Sequence, residues 1–137
     1  ELDIDAFKRG EAALKQGKIL IVAPEGTRSY SGQLNEGYPG VVYLALRTNA
    51  PIQPVVFFGN EHFASRLRTF RKTDMAIKVG RTFTLRADTI RPDRETRKEM
   101  TDEIMYEIAR ILPEKNRGIY HDLSKSQQKY LEFRHSE

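Results

Sequence analysis

The sequence predicts an α/β fold with a mostly parallel central sheet and helices on both faces. Two short runs, residues 19–23 and 52–58, are apolar on both faces or nearly so, as buried parallel strands are. A strongly apolar helix pattern lies between them, and a long amphipathic one begins downstream at Asp93. Strand, loop, helix and strand in that order make a βαβ unit, whose crossover is right-handed.

Each element has its own local signals. Asp3 or Asp5 can cap a first helix that reaches about Gln16, with Ile4, Phe7 and Leu14 on one face and Gly17 where a helix stops. Lys18 leads into the first strand, and the loop after it is punctuated by Gly26, Gly32 and Gly37. Pro39 suits the first residue of a helix through about Arg47, apolar nearly all round and therefore buried; Asn49-Ala50-Pro51 ends it. The second strand follows, apolar apart from Gln53. Residues 60–73 read as irregular. Met75, Ile77 and Val79 then alternate with polar residues, as do Phe83 and Leu85, which predicts strands with one wet face near a sheet edge. Asp93 caps the long helix, whose stripe is Met100, Ile104, Ile108 and Ile111, widened by Met105 and Leu112, with Glu95, Lys98, Glu99, Asp102 and Glu103 as its solvated face; Pro113 breaks it. A weak helix is expected from about Ser124.

At 137 residues, with 39% hydrophobic and 31% charged residues, the chain is one globular domain or part of one. No apolar run approaches the roughly 18 residues that span a bilayer. With no cysteine, disulfides, thiolate metal sites and a cysteine nucleophile are excluded; His62, His121 and His135 show no metal-ligand spacing. The first residues carry neither a basic leader nor an apolar signal core, and a piece is expected to be missing upstream. The net charge of +4 fits an anionic partner (a phosphate ester, a phospholipid surface or a nucleic acid) and equally fits a solvated surface with a few extra lysines.

The segment with the most chemistry is Pro24-Glu25-Gly26-Thr27-Arg28-Ser29, directly after the first strand. Open α/β sheets bind ligands beyond the carboxyl ends of their strands. Pro24 ends the ladder, having no amide hydrogen to donate. Gly26 permits a tight turn and close backbone approach. Thr27 and Ser29 bring hydroxyls, and Arg28 a planar fork of donors suited to phosphate. Glu25 can orient Arg28 or accept from a substrate hydroxyl; equally, a Glu25–Arg28 pair can simply pin the turn.

This block resembles the third sequence block of the glycerolipid acyltransferases, the 1-acyl-glycerol-3-phosphate (lysophosphatidate) acyltransferases and their relatives. Pro51-Ile52-Gln53-Pro54-Val55 resembles the fourth block at the right distance downstream. Ser31-Gly32-Gln33-Leu34, Gly40 and Tyr43-Leu44-Ala45 fit the pattern between them, and Arg117-Gly118-x-Tyr120 is a tail of some bacterial relatives. The resemblance is specific over residues 18–59, looser over 1–17 and weak beyond Asn60. It implies a glycerol-3-phosphate acyltransferase-like fold over residues 1–137, as the later portion of a single domain. It also implies transfer of a fatty acyl group from acyl-CoA or acyl carrier protein to the hydroxyl of a lysophosphatidate-like glycerol phosphate. Arg28 would hold the acceptor phosphate, Glu25, Gly26, Thr27 and Ser29 would shape that pocket, and Pro51 would line the acceptor side. No cofactor is implied beyond the acyl thioester, and the setting implied is cytoplasmic, at the membrane surface.

Two departures stand out. The family's first block, His-x-x-x-x-Asp, in which the histidine takes the proton of the attacking hydroxyl, has no counterpart: Leu67 follows His62 at that spacing and Ser126 follows His121. The arginine-containing second block is absent too. The catalytic residues are therefore unknown, and the chain alone is expected to be inactive. Where many relatives carry an aromatic-Lys pair before x-Gly, this chain reads Gly37-Tyr38-Pro39-Gly40. His62 could face the crevice, although a surface loop histidine is the plainer reading, and His121-Asp122 reads as a turn or cap pair.

Phe63, Leu67 and Phe70 fall at helical spacing among Arg66, Arg68, Arg71 and Lys72, which suits an interfacial helix on lipid headgroups, or a surface helix packed on the core. Two other functions compete: a non-catalytic module binding phosphate or anionic lipid through Arg28, and a nucleic-acid-binding domain using residues 66–72. The last ranks lowest, since the cluster matches no nucleic-acid motif, and no nucleic-acid partner is expected.

Overall fold

The computed structural model describes residues 4–26, 31–59 and 75–134. Its elements, in order, are α1 (Ile4–Lys15), α2 (Gly40–Thr48), β1 (Val55–Phe58), β2 (Ala76–Val79), β3 (Phe83–Leu85), α3 (Arg94–Ile111) and β4 (Leu131–Phe133), with three 3-10 turns between α3 and β4. The fold is mixed α/β.

The helices follow their sequence signals. α1 ends in a Schellman arrangement: Lys18 N–H donates to Ala13 O and Gly17 N–H to Leu14 O, with Gly17 at φ 76°. α2 buries Val42, Leu44 and Ala45 and ends at Asn49 in the left-handed region. Asp93 caps α3 by accepting from Thr96 N–H at 2.8 Å, and this bond holds its carboxyl below the ordinary range.

α3 carries both halves of the core. Met100 and Ile104 join Val42, Ala45, Phe83 and Leu85 in one cluster, and Met105, Ala109 and Leu112 join Leu34, Val56 and Tyr120 in the other. Phe133 of β4 meets the Phe83 ring edge-on at 5.7 Å.

The strands among the described residues pair antiparallel: β1 with β2, β3 with β4, and Ile52 with Phe83 through an isolated bridge. Residues 19–23 belong to no helix or strand and form no ladder with any described residue. Leu20 packs toward Gly10 of α1, while Ile19 and Ile21 are 92% and 95% exposed. The wet face expected of β2 is its apolar one. Cross-strand pairs Val55–Val79 and Phe57–Ile77 share the outer face, and all four residues are exposed, while Val56 takes the core side.

Two further expectations are corrected. Glu103 is buried rather than solvated: its carboxylate accepts from the backbone N–H groups of Lys129 and Tyr130 at 2.9 and 3.0 Å, tying the C-terminal segment to α3. The helix expected from about Ser124 is a single 3-10 turn, Leu123–Lys125, followed by β4. Both have one cause, because the tail runs past α3 without the internal bonds of a helix and its bend at Lys129 and Tyr130 needs acceptors for its amides.

Glu11 is another buried carboxylate with dedicated partners. It accepts from Arg47 of α2 at 2.8 and 3.1 Å and from Lys15 at 2.7 Å. These bonds lower its pKa from 4.5 to about 2. A carboxylate with a depressed folded pKa stabilises the fold above its unfolded value and loses that contribution as pH falls through the folded one. In an acid titration followed by circular dichroism, Glu11→Gln should therefore be less stable than wild type at neutral pH. It should also take up about one proton fewer on unfolding between pH 4.5 and 2.

The bare outer face of β1–β2 should bind a hydrophobic dye such as ANS. Replacing Phe57 and Ile77 by serine should lower that fluorescence by roughly half. Unchanged fluorescence would mean that the face is covered in solution.

Candidate functional site

The turn after residues 19–23 is built by Pro24. Its fixed φ suits the second position of a β-turn closed by Gly26 N–H donating to Ala23 O at 3.0 Å. Gly26, at φ 69°, brings its backbone against the Tyr38 ring; a methyl group there would sit 3.4 Å from the ring edge. The Glu25 carboxylate accepts from Asn35 N–H at 2.7 Å, and Pro24 O accepts from Tyr38 N–H at 2.8 Å. Glu25 thus braces the turn against the following loop. Thr27, Arg28 and Ser29 lie outside the described residues, so the Glu25–Arg28 pairing does too. Pro51 is exposed, next to the Ile52–Phe83 bridge. Phe63, Arg66, Leu67, Phe70 and Arg71, and with them His62, also lie outside the described residues.

The loop that receives the turn is clamped from the far side. Leu34 N–H donates to Asn116 O at 3.0 Å, Asn116 Nδ2 donates to Gly32 O at 2.7 Å, and Ile119 N–H donates to Leu34 O at 3.4 Å. Arg117 donates through Nε to Ala109 O and Leu112 O, satisfying the C-terminal carbonyls of α3. The Arg117-Gly118-x-Tyr120 tail is therefore a clamp on the site loop. Tyr120 completes it, accepting from Gly37 N–H and donating to Asp102, both at 3.2 Å; burial pushes its phenol upward. Gly37 is also a close approach to α3, since a methyl group there would lie 2.6 Å from Met105 Cγ.

His121 is exposed, with Nδ1 3.2 Å from Gly118 O, and Asp122 accepts from Ser124 N–H and Oγ at 3.1 and 2.6 Å. That is the cap arrangement expected of this pair. Among the described residues no three His, Asp or Glu side chains gather to hold a metal ion, and no helix is long and apolar enough to cross a membrane.

The site residues that the sequence did not single out are Asn35, which offers only a backbone amide, and the cations at the start of α3. Arg94, Arg97 and Lys98 line a cleft of about 360 Å³ together with Glu36, Tyr38, Pro39 and Tyr43. Their signal was present in the sequence as three basic residues within the first five of a helix, where acidic ones are favoured.

The braced Pro24–Gly26 turn packs on Tyr38, which also lines the basic cleft, and this part of the chain is similar to known proteins. Residues 3–58 match the family model described as Acyltransferase. The chain is 38% identical over 77 residues to a 1-acyl-sn-glycerol-3-phosphate acyltransferase of Cocos nucifera, covering 56% of this chain and 25% of that protein. It is 45% identical over 60 residues to the enzyme of the same name from Limnanthes douglasii, covering 44% and 21%. A chloroplastic one from Brassica napus is 34% identical over 56 residues, covering 41% and 16%. On these matches, residues 3–58 are similar to the acyltransferase domain of the 1-acyl-sn-glycerol-3-phosphate acyltransferases. The matched segment spans about a quarter or less of the length of these relatives. No solved structure matches.

If Glu25 braces the turn, Glu25→Ala should speed hydrogen exchange of the Asn35 amide by about tenfold, the loss of a bond worth about 1.4 kcal/mol. Exchange at the wild-type rate would show that the turn is held without it.

Proposed function

We propose that this chain is the phosphate-binding portion of a 1-acyl-sn-glycerol-3-phosphate acyltransferase. The observation that carries the reading is the Pro24–Ser29 block on its braced turn, inside the family match over residues 3–58 and followed at family spacing by Pro51-Ile52-Gln53-Pro54-Val55. In the reaction, the free hydroxyl oxygen of a lysophosphatidate-like acceptor attacks the carbonyl carbon of an acyl thioester, on coenzyme A or acyl carrier protein. The carbon–sulfur bond breaks, the thiol leaves and an ester remains. Arg28 holds the acceptor's phosphate, with Glu25, Gly26, Thr27 and Ser29 shaping the pocket and Pro51 lining its acceptor side. A guanidinium in a partly dry crevice fixes a phosphomonoester by paired charge-assisted hydrogen bonds. No cofactor beyond the thioester takes part.

The proton acceptor is read as the His–Asp pair of the family's first block, a spacing this sequence lacks. In the same reading, residues 19–23 are a strand of a mostly parallel sheet, and the enzyme works in the cytoplasm at a membrane surface, met by Phe63, Arg66, Leu67, Phe70 and Arg71. The alternative is a non-catalytic module that binds phosphate or anionic lipid through Arg28.

A thiol-release assay with an acyl-coenzyme A and lysophosphatidate separates the two. A cysteine-free chain adds no thiol background of its own. In the longest natural reading frame containing this chain, Arg28→Ala should lower kcat/KM by about a hundredfold or more. Lysophosphatidate binding that depends on Arg28, with no thiol released by either protein, would instead establish the module.

A further inference from the structure

We propose that the cleft between residues 36–39 and the first two turns of α3 is a second phosphate-monoester site, with Arg94, Arg97 and Lys98 as the anion-binding groups. Tyr38 and Pro39 form the apolar wall for the body that carries the phosphate. This goes beyond the acceptor reading at Arg28: its groups are those of α3, and the described residues of the block, Pro24, Glu25 and Gly26, do not line this cleft.

Three observations meet here. The lining sets three cations against one carboxylate, Glu36, in a cleft of about 360 Å³, within the range of small-ligand sites. The cations also stand where a helix least favours them. Arg94, Arg97 and Lys98 fall within the first five residues of α3, at the positive end of its dipole, with the acidic Asp93 and Glu95 beside them, and as cations at that end they favour a bound anion. A local rule broken in this way, next to a braced functional turn, marks a site rather than a stabilising surface.

The third observation is preorganisation. Arg97 is fixed by donating to Pro92 O at 2.6 Å and by stacking over the Tyr43 ring at 5.2 Å. Lys98 is anchored by Asp102 at 2.8 Å. Its second partner, Glu36, is 3.9 Å away and well exposed, a weak pair that a phosphate can displace. Arg94 has no ion pair among the described residues, so its guanidinium fork is uncommitted.

A phosphate monoester of this kind has two sources in the proposed reaction: the nucleotide end of a coenzyme A donor, or the headgroup of the acceptor. Calorimetric titration with adenosine 3′,5′-bisphosphate and, separately, sn-glycerol 3-phosphate tells them apart, at about 0.15 M salt. Binding of either probe in the millimolar range or tighter, weakened about tenfold or more by Arg94→Glu, is the expected result. The nucleotide arm would assign the cleft to the donor and the glycerol phosphate arm to the acceptor. Arg94 is exposed and off the core, and circular dichroism checks that the variant folds; Tyr38→Ser is a second variant that removes the wall and leaves every charge. No binding of either probe would overturn the proposal, as would binding that Arg94→Glu and Tyr38→Ser both leave unchanged. Binding lost only on Arg28→Ala would overturn it too, while leaving the acyltransferase reading standing.

Discussion

Everything in this fold leans on one helix, α3. A two-stranded sheet cannot hold itself together in water, and this structure has two of them among the described residues, together with two short helices. Each needs an apolar surface to rest on. α3 offers two: Met100 and Ile104 to α2 and β3, and Met105, Ala109 and Leu112 to β1 and the site loop. The 3.6-residue period makes both possible on one helix, because the stripe is wide enough to turn a corner. Its polar residues serve the same end. Glu103 supplies acceptors for the tail, and Asp102 takes the Tyr120 hydroxyl on one oxygen and the Lys98 ammonium on the other.

The same helix reaches the functional region. Tyr120 links Asp102 to the Gly37 amide, and the Pro24–Gly26 turn hangs on that loop through Asn35 and Tyr38. The route from the hydrophobic core to the Pro24–Gly26 turn is therefore short, made of side-chain hydrogen bonds from Tyr120, Asp102 and Glu25 and one backbone bond. This is the rigid support that positioned charges require. Residues 116–120, remote in sequence, hold that loop through Leu34, Gly32 and Gly37.

Sequence and structure agree where the signal is local. Asp93 as a cap, Gly17 as a helix stop and the Met100–Leu112 stripe each depend on chemistry within a few residues, and each is found. The mixed α/β class was legible for the same reason. The partner of the 52–58 run was not, because an apolar run does not say which strand it pairs with; among the described residues Val55–Phe58 meets Ala76–Val79 antiparallel, and a parallel partner is not seen. Nor was the face of β2, since alternation shows that two faces differ and not which one meets the core. Glu103 illustrates the hardest case: its burial depends on amides at positions 129 and 130, and nothing near it in sequence announces them. At the candidate site the block itself was plain, while its brace through a backbone amide and the cleft on α3 needed three dimensions.

The segment 19–23 has a property that follows from its anchoring. Side chains alternate along a strand, so a shift by a single residue exchanges its two faces. Leu20 lies over Gly10, where even one added methyl group would come within 3.1 Å of it, while Ile19 and Ile21 look outward. A slip would put a β-branched isoleucine against Gly10, in place of the leucine whose terminal methyl group lies there. The register of any strand that joins this segment is thus set in advance by the absence of a side chain at position 10.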